Sequence, residues 1–158
     1  SPDMGPLVSQ EQFEKVKGYI KSGQDDGAKC EVGGGTVGDK GYFVEPTVLT
    51  NTNDKMKVIT EEIFGPVVAA EPFENAEEVM ARSNNSNYGL AAAVWTSDIK
   101  KAINTADAFR AGTVWVNTYN IFDAALPFGG YKQSGWGREM GSEILDAYTE
   151  TKSVVIAK

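Results

Sequence analysis

Two adjacent carboxylates, Glu61 and Glu62, stand directly before the turn sequence Ile63-Phe64-Gly65-Pro66-Val67. A carboxylate is a pure acceptor with two oxygens, so one of the pair could hold the two hydroxyls of a ribose. The competing reading is a solvated surface pair, where most Glu residues sit, and composition alone favours it. Gly65-Pro66 has the composition of a turn that would present the Phe64 ring.

Other candidate chemistry is weaker. Cys30 is the one thiol, and it lies between Lys29 and Glu31. A nucleophile needs a lowered pKa or an adjacent base, but neighbours on a strand point to opposite faces, so neither charge is an assured partner. Cys30 is therefore read as structural or incidental. There is no histidine, which removes the commonest general base and metal ligand and excludes a Ser-His or Cys-His mechanism within these residues. No zinc spacing exists, and no catalytic or metal-binding residue is assigned. The glycines from Gly129 to Gly141 are not a phosphate loop. Lys132 follows Tyr131 rather than glycine, and Met140 stands where a dinucleotide fingerprint needs glycine. They, like Gly33-Gly34-Gly35, are read as turns and close backbone contacts. Arg138, Glu139 and Asp146 read as surface charges, and Asn84-Asn85-Ser86 as a sequon by pattern only.

The 158 residues suffice for one domain core, and 41% are apolar. The net charge of −7 argues against a nucleic-acid partner, and no Lys/Arg cluster favours an anionic membrane. No apolar run approaches the roughly 20 residues of a membrane span. One cysteine cannot form an internal disulfide, which suits a reducing compartment, and a cytoplasmic protein is expected. The chain opens Ser1-Pro2-Asp3-Met4, without an initiating methionine, and is expected to be a fragment.

Two hydrophobic periods alternate, as in an α/β protein: a mostly parallel sheet with flanking helices is expected. Ser9 to Gln12 is a capping box in which Gln12 would reach back; Phe13, Val16 and Ile20 follow at helical spacing, with Gly23 as the stop. Strands are expected at Lys29–Val32, over Tyr42–Leu49 at an edge or broken at Pro46, and at Val67–Phe73. Asn75 should cap a helix with Ala76, Val79, Met80 and Ser83 on one face. Ser97 should cap another, with Ile99, Ala102, Ile103, Ala106 and Phe109 inward and Gly112 ending it. The apolar runs Ala91–Trp95 and Thr113–Val116 flank that helix as parallel strands of a βαβ unit, buried on both faces. A helix over Arg138–Tyr148 and a strand over Ser153–Ile156 complete the reading.

The segment from Asn117 to Phe128 follows a parallel strand, where α/β proteins build sites. Its aromatic and aliphatic residues either pack on the core or line an apolar channel.

Glu61-Glu62-Ile63-Phe64-Gly65-Pro66-Val67 and Pro127-Phe128-Gly129-Gly130-Tyr131-Lys132-Gln133-Ser134-Gly135 together resemble the C-terminal part of the NAD(P)-dependent aldehyde dehydrogenases. Gly41-Tyr42-Phe43, Asn87-Tyr88-Gly89-Leu90, Gly112-Thr113-Val114-Trp115-Val116-Asn117 and Tyr148-Thr149-Glu150 fit the same family in order. The resemblance implies a partial catalytic domain over residues 1–150 and an oligomerisation strand over 151–158, through which a homo-oligomer would form. It implies that Glu62 holds the ribose beside the nicotinamide of NAD or NADP and that Phe64 packs near that ring. It places Phe122 and Phe128 on the wall of a tunnel for a small-molecule aldehyde, with Asn120 and Ile121 near its mouth. Asp123 to Gly130 looks most like bacterial members that oxidise larger or aromatic aldehydes. In the family, a cysteine thiolate adds to the aldehyde, hydride passes to the nicotinamide, and a Glu-activated water releases the acid from the thioester. The thiolate, base and dinucleotide fingerprint have no counterpart in these residues, so the chain alone is expected to be inactive. The alternative is a stand-alone, non-catalytic module that associates through its terminal strand.

Overall fold

The computed structural model describes residues 3–158, which fall into two compact units, a first ending at Phe73 and a second spanning Glu74–Lys158.

In the first unit, helix α1 spans Gln10–Asp25. Ser9 caps it as expected, its Oγ accepting from the Gln12 N–H at 3.2 Å. Val16 and Ile20 are buried on its inner face. The expected stop at Gly23 is wrong: Gly23 is buried inside the helix against Leu49 and Val58. A side chain there would hold α1 away from those residues. The turn out of the helix falls at Gly27 (φ 101°), the left-handed conformation that a missing Cβ makes accessible.

Strands β1 (Lys29–Val32), β2 (Thr47–Thr50) and β3 (Val67–Ala69) form a sheet in that order, with β1–β2 antiparallel and β2–β3 parallel. β2 begins just after Pro46, so the run from Tyr42 is broken there and its regular part is the central strand. Leu49 joins Ala28, Met56 and Val58 of the short helix α2 (Lys57–Thr60) in one cluster; Val16, Ile20 and Val44 form another. Ile63 and Val67 pack against both clusters, so the two ends of the Glu61–Val67 segment are anchored in the core.

In the second unit, Asn75 caps helix α3 (Ala76–Asn84) as expected, accepting from the Glu78 N–H at 2.9 Å. Val79 and Met80 are half-buried, whereas Ala76 and Ser83 are exposed. Strand β4 (Tyr88–Gly89) leads to β5 (Ala91–Val94), helix α4 (Ile99–Ala108) and β6 (Thr113–Val116). β5 and β6 pair in parallel from Ala91↔Thr113 to Val94↔Val116, the expected βαβ unit. The cap of α4 is Asp98 rather than Ser97, its Oδ1 accepting from the Lys100 and Lys101 N–H groups. A carboxylate serves two helical donors and complements the positive end of the helix dipole, where a hydroxyl does neither as well. α4 ends before Gly112, at Ala108. Ala102 is its buried residue, while Ile99 and Ile103 are exposed, and β5 is at most half-buried. A two-stranded sheet under one helix has too little mass to bury both faces. α3 and α4 are tied by Asn84, whose Nδ2 donates to Ala108 O and whose Oδ1 accepts from the Arg110 N–H, each at 2.8 Å. Lys132 in β7 (Tyr131–Lys132, paired with β4) donates to Asn84 O and Ser86 O.

The expected Arg138–Tyr148 helix is only α5, Ile144–Tyr148. Met140 and Gly141 take positive φ, and Glu139 instead exchanges two 2.7 Å backbone hydrogen bonds with Phe128. Ser153–Ile156 forms no strand, because no described segment pairs with it; Val154, Val155 and Ile156 are exposed. Among the described residues, two of the four strand pairings are parallel, spread over three small sheets in an α/β arrangement. No helix among the described residues is long and apolar enough to cross a membrane.

Candidate functional site

The Glu61–Val67 segment leaves α2 and enters β3 through two successive three-residue turns, Gly65 N–H to Ile63 O at 2.7 Å and Val67 N–H to Gly65 O at 2.8 Å. Thr47 N–H donates to Pro66 O at 2.8 Å, fastening the far end to β2. Gly65 lies so close to α1 that a Cβ would stand 2.6 Å from Val16 Cγ2, so the turn requires glycine for its close approach. The expected capping box is half made. Gln12 does not reach back to the Ser9 N–H; its Nε2 donates to Phe64 O at 2.7 Å. The local bond would have used Gln12 Oε1 as an acceptor; the side chain instead turns its amide N–H to the Phe64 carbonyl, 52 residues away in sequence. The backbone of Phe64 is thus held while its ring is 70% exposed.

The two carboxylates differ. Glu61 accepts from Tyr19 Oη–H at 2.8 Å. Glu62 is exposed and makes no hydrogen bond or ion pair with a described residue. One carboxylate therefore braces the scaffold and the other keeps both oxygens open. Phe64 borders an open groove of about 540 Å³, whose lining also includes Gly5, Pro6, Leu7, Gln12 and Ile63 but neither carboxylate. An unpartnered acceptor two residues before an uncovered aromatic ring that borders an apolar groove fits a ribose diol with a flat ring attached.

The second cluster lies in the Asn117–Phe128 segment. Trp115 of β6 is buried, and its Nε1–H donates to Ile121 O at 2.8 Å. Its ring meets Tyr119 and Phe122 edge-on, with centroids 5.4 and 5.6 Å apart, and Phe122 meets Phe128 the same way at 5.0 Å. Trp115 is the buried end of this stack, Phe122 in its middle is exposed and Phe128 beyond it is half-buried. Asn120, at φ 58°, turns the chain, and it and Ile121 are exposed. The structure thus brings Phe122 and Phe128 together with Asn120 and Ile121 on the same loop. Glu62 and Phe64 share a turn of the other unit. Sequence reasoning passed over Trp115, Tyr19 and the true partner of Gln12. A buried indole needs an acceptor, which was the available signal for Trp115.

Cys30 is half-buried and packs on the Leu49 cluster; its Sγ donates weakly to Val32 O and Gly33 O. Lys29 and Glu31 pair with each other at 2.8 Å. The Lys29 hydrogen bond, then that of Thr50, holds the Glu31 carboxyl below its ordinary range. Both flanking charges are thereby engaged, and neither serves the thiol. In the glycine segment, Arg138 Nη1 donates to Gly130 O and Gly137 O, and Ser134 Oγ accepts from the Gly89 N–H, which is turn-stabilising chemistry. No group of three or more His, Cys, Asp or Glu side chains among the described residues could hold a metal ion.

A βαβ unit, a small mixed sheet and an exposed acceptor–aromatic turn define a portion of an α/β protein. The chain belongs to the aldehyde dehydrogenase family, whose profile matches residues 1–154. It is 60% identical to the Bacillus subtilis (strain 168) protein DhaS over 96% of this chain and 30% of that one. With the mitochondrial aldehyde dehydrogenase of Mesocricetus auratus it shares 54% identity, over 98% of this chain and 31% of the relative. Its fold is similar to that of the Bacillus cereus aldehyde dehydrogenase solved in complex with NAD+, with a TM-score of 0.93 and 57% identity over 96% of this chain and 31% of that one. The chain spans about 30% of the length of the curated relatives it matches.

Proposed function

We propose that this chain supplies the ribose contact and part of the aldehyde-facing wall of an NAD(P)-dependent aldehyde dehydrogenase. The observation that carries this is the division of labour at the paired carboxylates: Glu61 is engaged by Tyr19, whereas Glu62 is open beside the displayed Phe64 ring. The similarity to an enzyme solved with NAD+ supports the choice of coenzyme class. Glu62 accepts the two ribose hydroxyls, Phe64 limits the nicotinamide's position, and Phe122 and Phe128 border the aldehyde, with Asn120 and Ile121 at the entrance. The bound nicotinamide supplies the hydride acceptor. The thiolate that adds to the aldehyde and the base that activates water for thioester hydrolysis come from outside these 158 residues. Purified alone, the chain is expected to give no turnover with NAD or NADP and a panel of aldehydes. Aldehyde oxidation that disappears in Cys30→Ala would sink the proposal.

The exposed Val154, Val155 and Ile156 favour a second, compatible role for residues 151–158: adding as a strand to the sheet of another copy. Deleting 153–158 is expected to lower the sedimentation coefficient from that of an oligomer to that of a monomer. An unchanged value would count against the pairing.

A further inference from the structure

We infer that Trp115 is a positioning residue that sets the shape of the aldehyde-facing wall and, through it, the selectivity for aldehyde size. The inference rests on the reading of Phe122 and Phe128 as that wall. Trp115 is buried in the β5–β6 ladder, one pair before its end, where Ala93 is its partner, so its backbone is fixed by the sheet. From there the indole makes three separate attachments to the following loop. Its Nε1–H donates to Ile121 O at 2.8 Å, and its ring edges meet Tyr119 and Phe122 at 5.4 and 5.6 Å. The loop has little else to hold it at this point. Tyr119, Ile121 and Phe122 are exposed, and Asn120 adopts a left-handed conformation at a bend between two of the attachments. Phe122 then hands the constraint on to Phe128 at 5.0 Å, and Phe128 is locked by its two hydrogen bonds to Glu139. A rigid indole thus connects the sheet to both wall rings. The hydrogen bond fixes how far the Ile121 carbonyl, and hence the next residue's ring, stands from the strand. The edge contacts fix that ring's tilt. Neither interaction touches the aldehyde, so their loss should change which aldehydes fit rather than the rate once one is bound.

The test uses a complete enzyme carrying this chain, assayed with benzaldehyde and acetaldehyde. Trp115→Phe keeps an aromatic ring and removes the donor. It should raise KM for benzaldehyde about three- to tenfold, the range expected for one net hydrogen bond, with kcat changed less than about twofold. The benzaldehyde-to-acetaldehyde selectivity should fall in step. Equal effects on both aldehydes, or a change confined to kcat, would overturn the inference. Phe122→Ala in parallel separates the two levels of the argument. If it leaves aldehyde KM values unaltered, the wall reading itself fails. If it shifts them and Trp115→Phe does not, the wall stands and the positioning role falls. A measurement on the unsubstituted protein covers a Trp115→Phe variant that does not fold. The Trp115 indole N–H should exchange with deuterium far more slowly than that of Trp136, which is 98% exposed. Equally fast exchange would remove the hydrogen bond on which the inference stands.

Discussion

Glu62→Ala, in a complete enzyme carrying this chain, is expected to weaken coenzyme binding about 10- to 100-fold, the range for losing hydrogen bonds to a charged acceptor. Glu62→Gln should fall between the two, because an amide retains one oxygen acceptor but no charge. The control is Glu61→Gln. Glu61 accepts from Tyr19 and braces α1 against the end of α2, so this change should lower the melting temperature slightly and leave coenzyme affinity unchanged. The readout is the dissociation constant from quenching or calorimetric titration, with the melting temperature of each variant. A reversal, with Glu61 governing affinity and Glu62 silent, would show that the wrong carboxylate has been assigned to the ribose.

The largest stability effect is expected at Gly112. Its N–H donates to Gly89 O at 3.0 Å, joining the start of β6 to the end of β4. A Cβ at Gly112 would fall within the van der Waals envelope of Gly129 O and 3.4 Å from Gly130 Cα. These are backbone atoms, and the segment that carries them is held by Arg138 and by the Phe128–Glu139 pairing, so it cannot yield as a flexible side chain would. Gly112→Ala should therefore reach or exceed the upper end of ordinary overpacking, about 3 kcal/mol. For a chain of this size about 3 kcal/mol is a fall of roughly 6–12 °C in melting temperature, measured by circular dichroism. A melting temperature within about 2 °C of the parent would mean that the two segments are not packed as described.

Much of the architecture was legible because it is local. Ser9 and Asn75 cap their helices with their own side chains, a feature written within four residues. The apolar runs around α4 identified both strands of the βαβ unit and their parallel sense. The errors share a different cause. Gly23 reads locally as a helix stop, yet it lies inside α1 because Val58 and Leu49 need the space. Arg138 to Gly141 reads as helix, yet Glu139 is drawn into pairing with Phe128, 11 residues away. Ser153–Ile156 has the composition of a strand, but a ladder needs a second strand and none of the described segments provides it.

The candidate site divides along the same line. The amino-acid order alone determined the family, and it marks out Glu62, Phe64 and the loop bearing Asn120, Ile121, Phe122 and Phe128 as the candidates. Those are matters of residue type at fixed spacing, which a chain carries before it folds. Only tertiary structure decided that Glu61 is bound and Glu62 open, that Gln12 grips Phe64 O rather than its own helix end, and that Trp115 reaches Ile121 O. The physical reason is the competition for hydrogen-bond partners. A side-chain donor has several acceptors within local reach, and which one it takes depends on which groups packing has already satisfied or withdrawn from water.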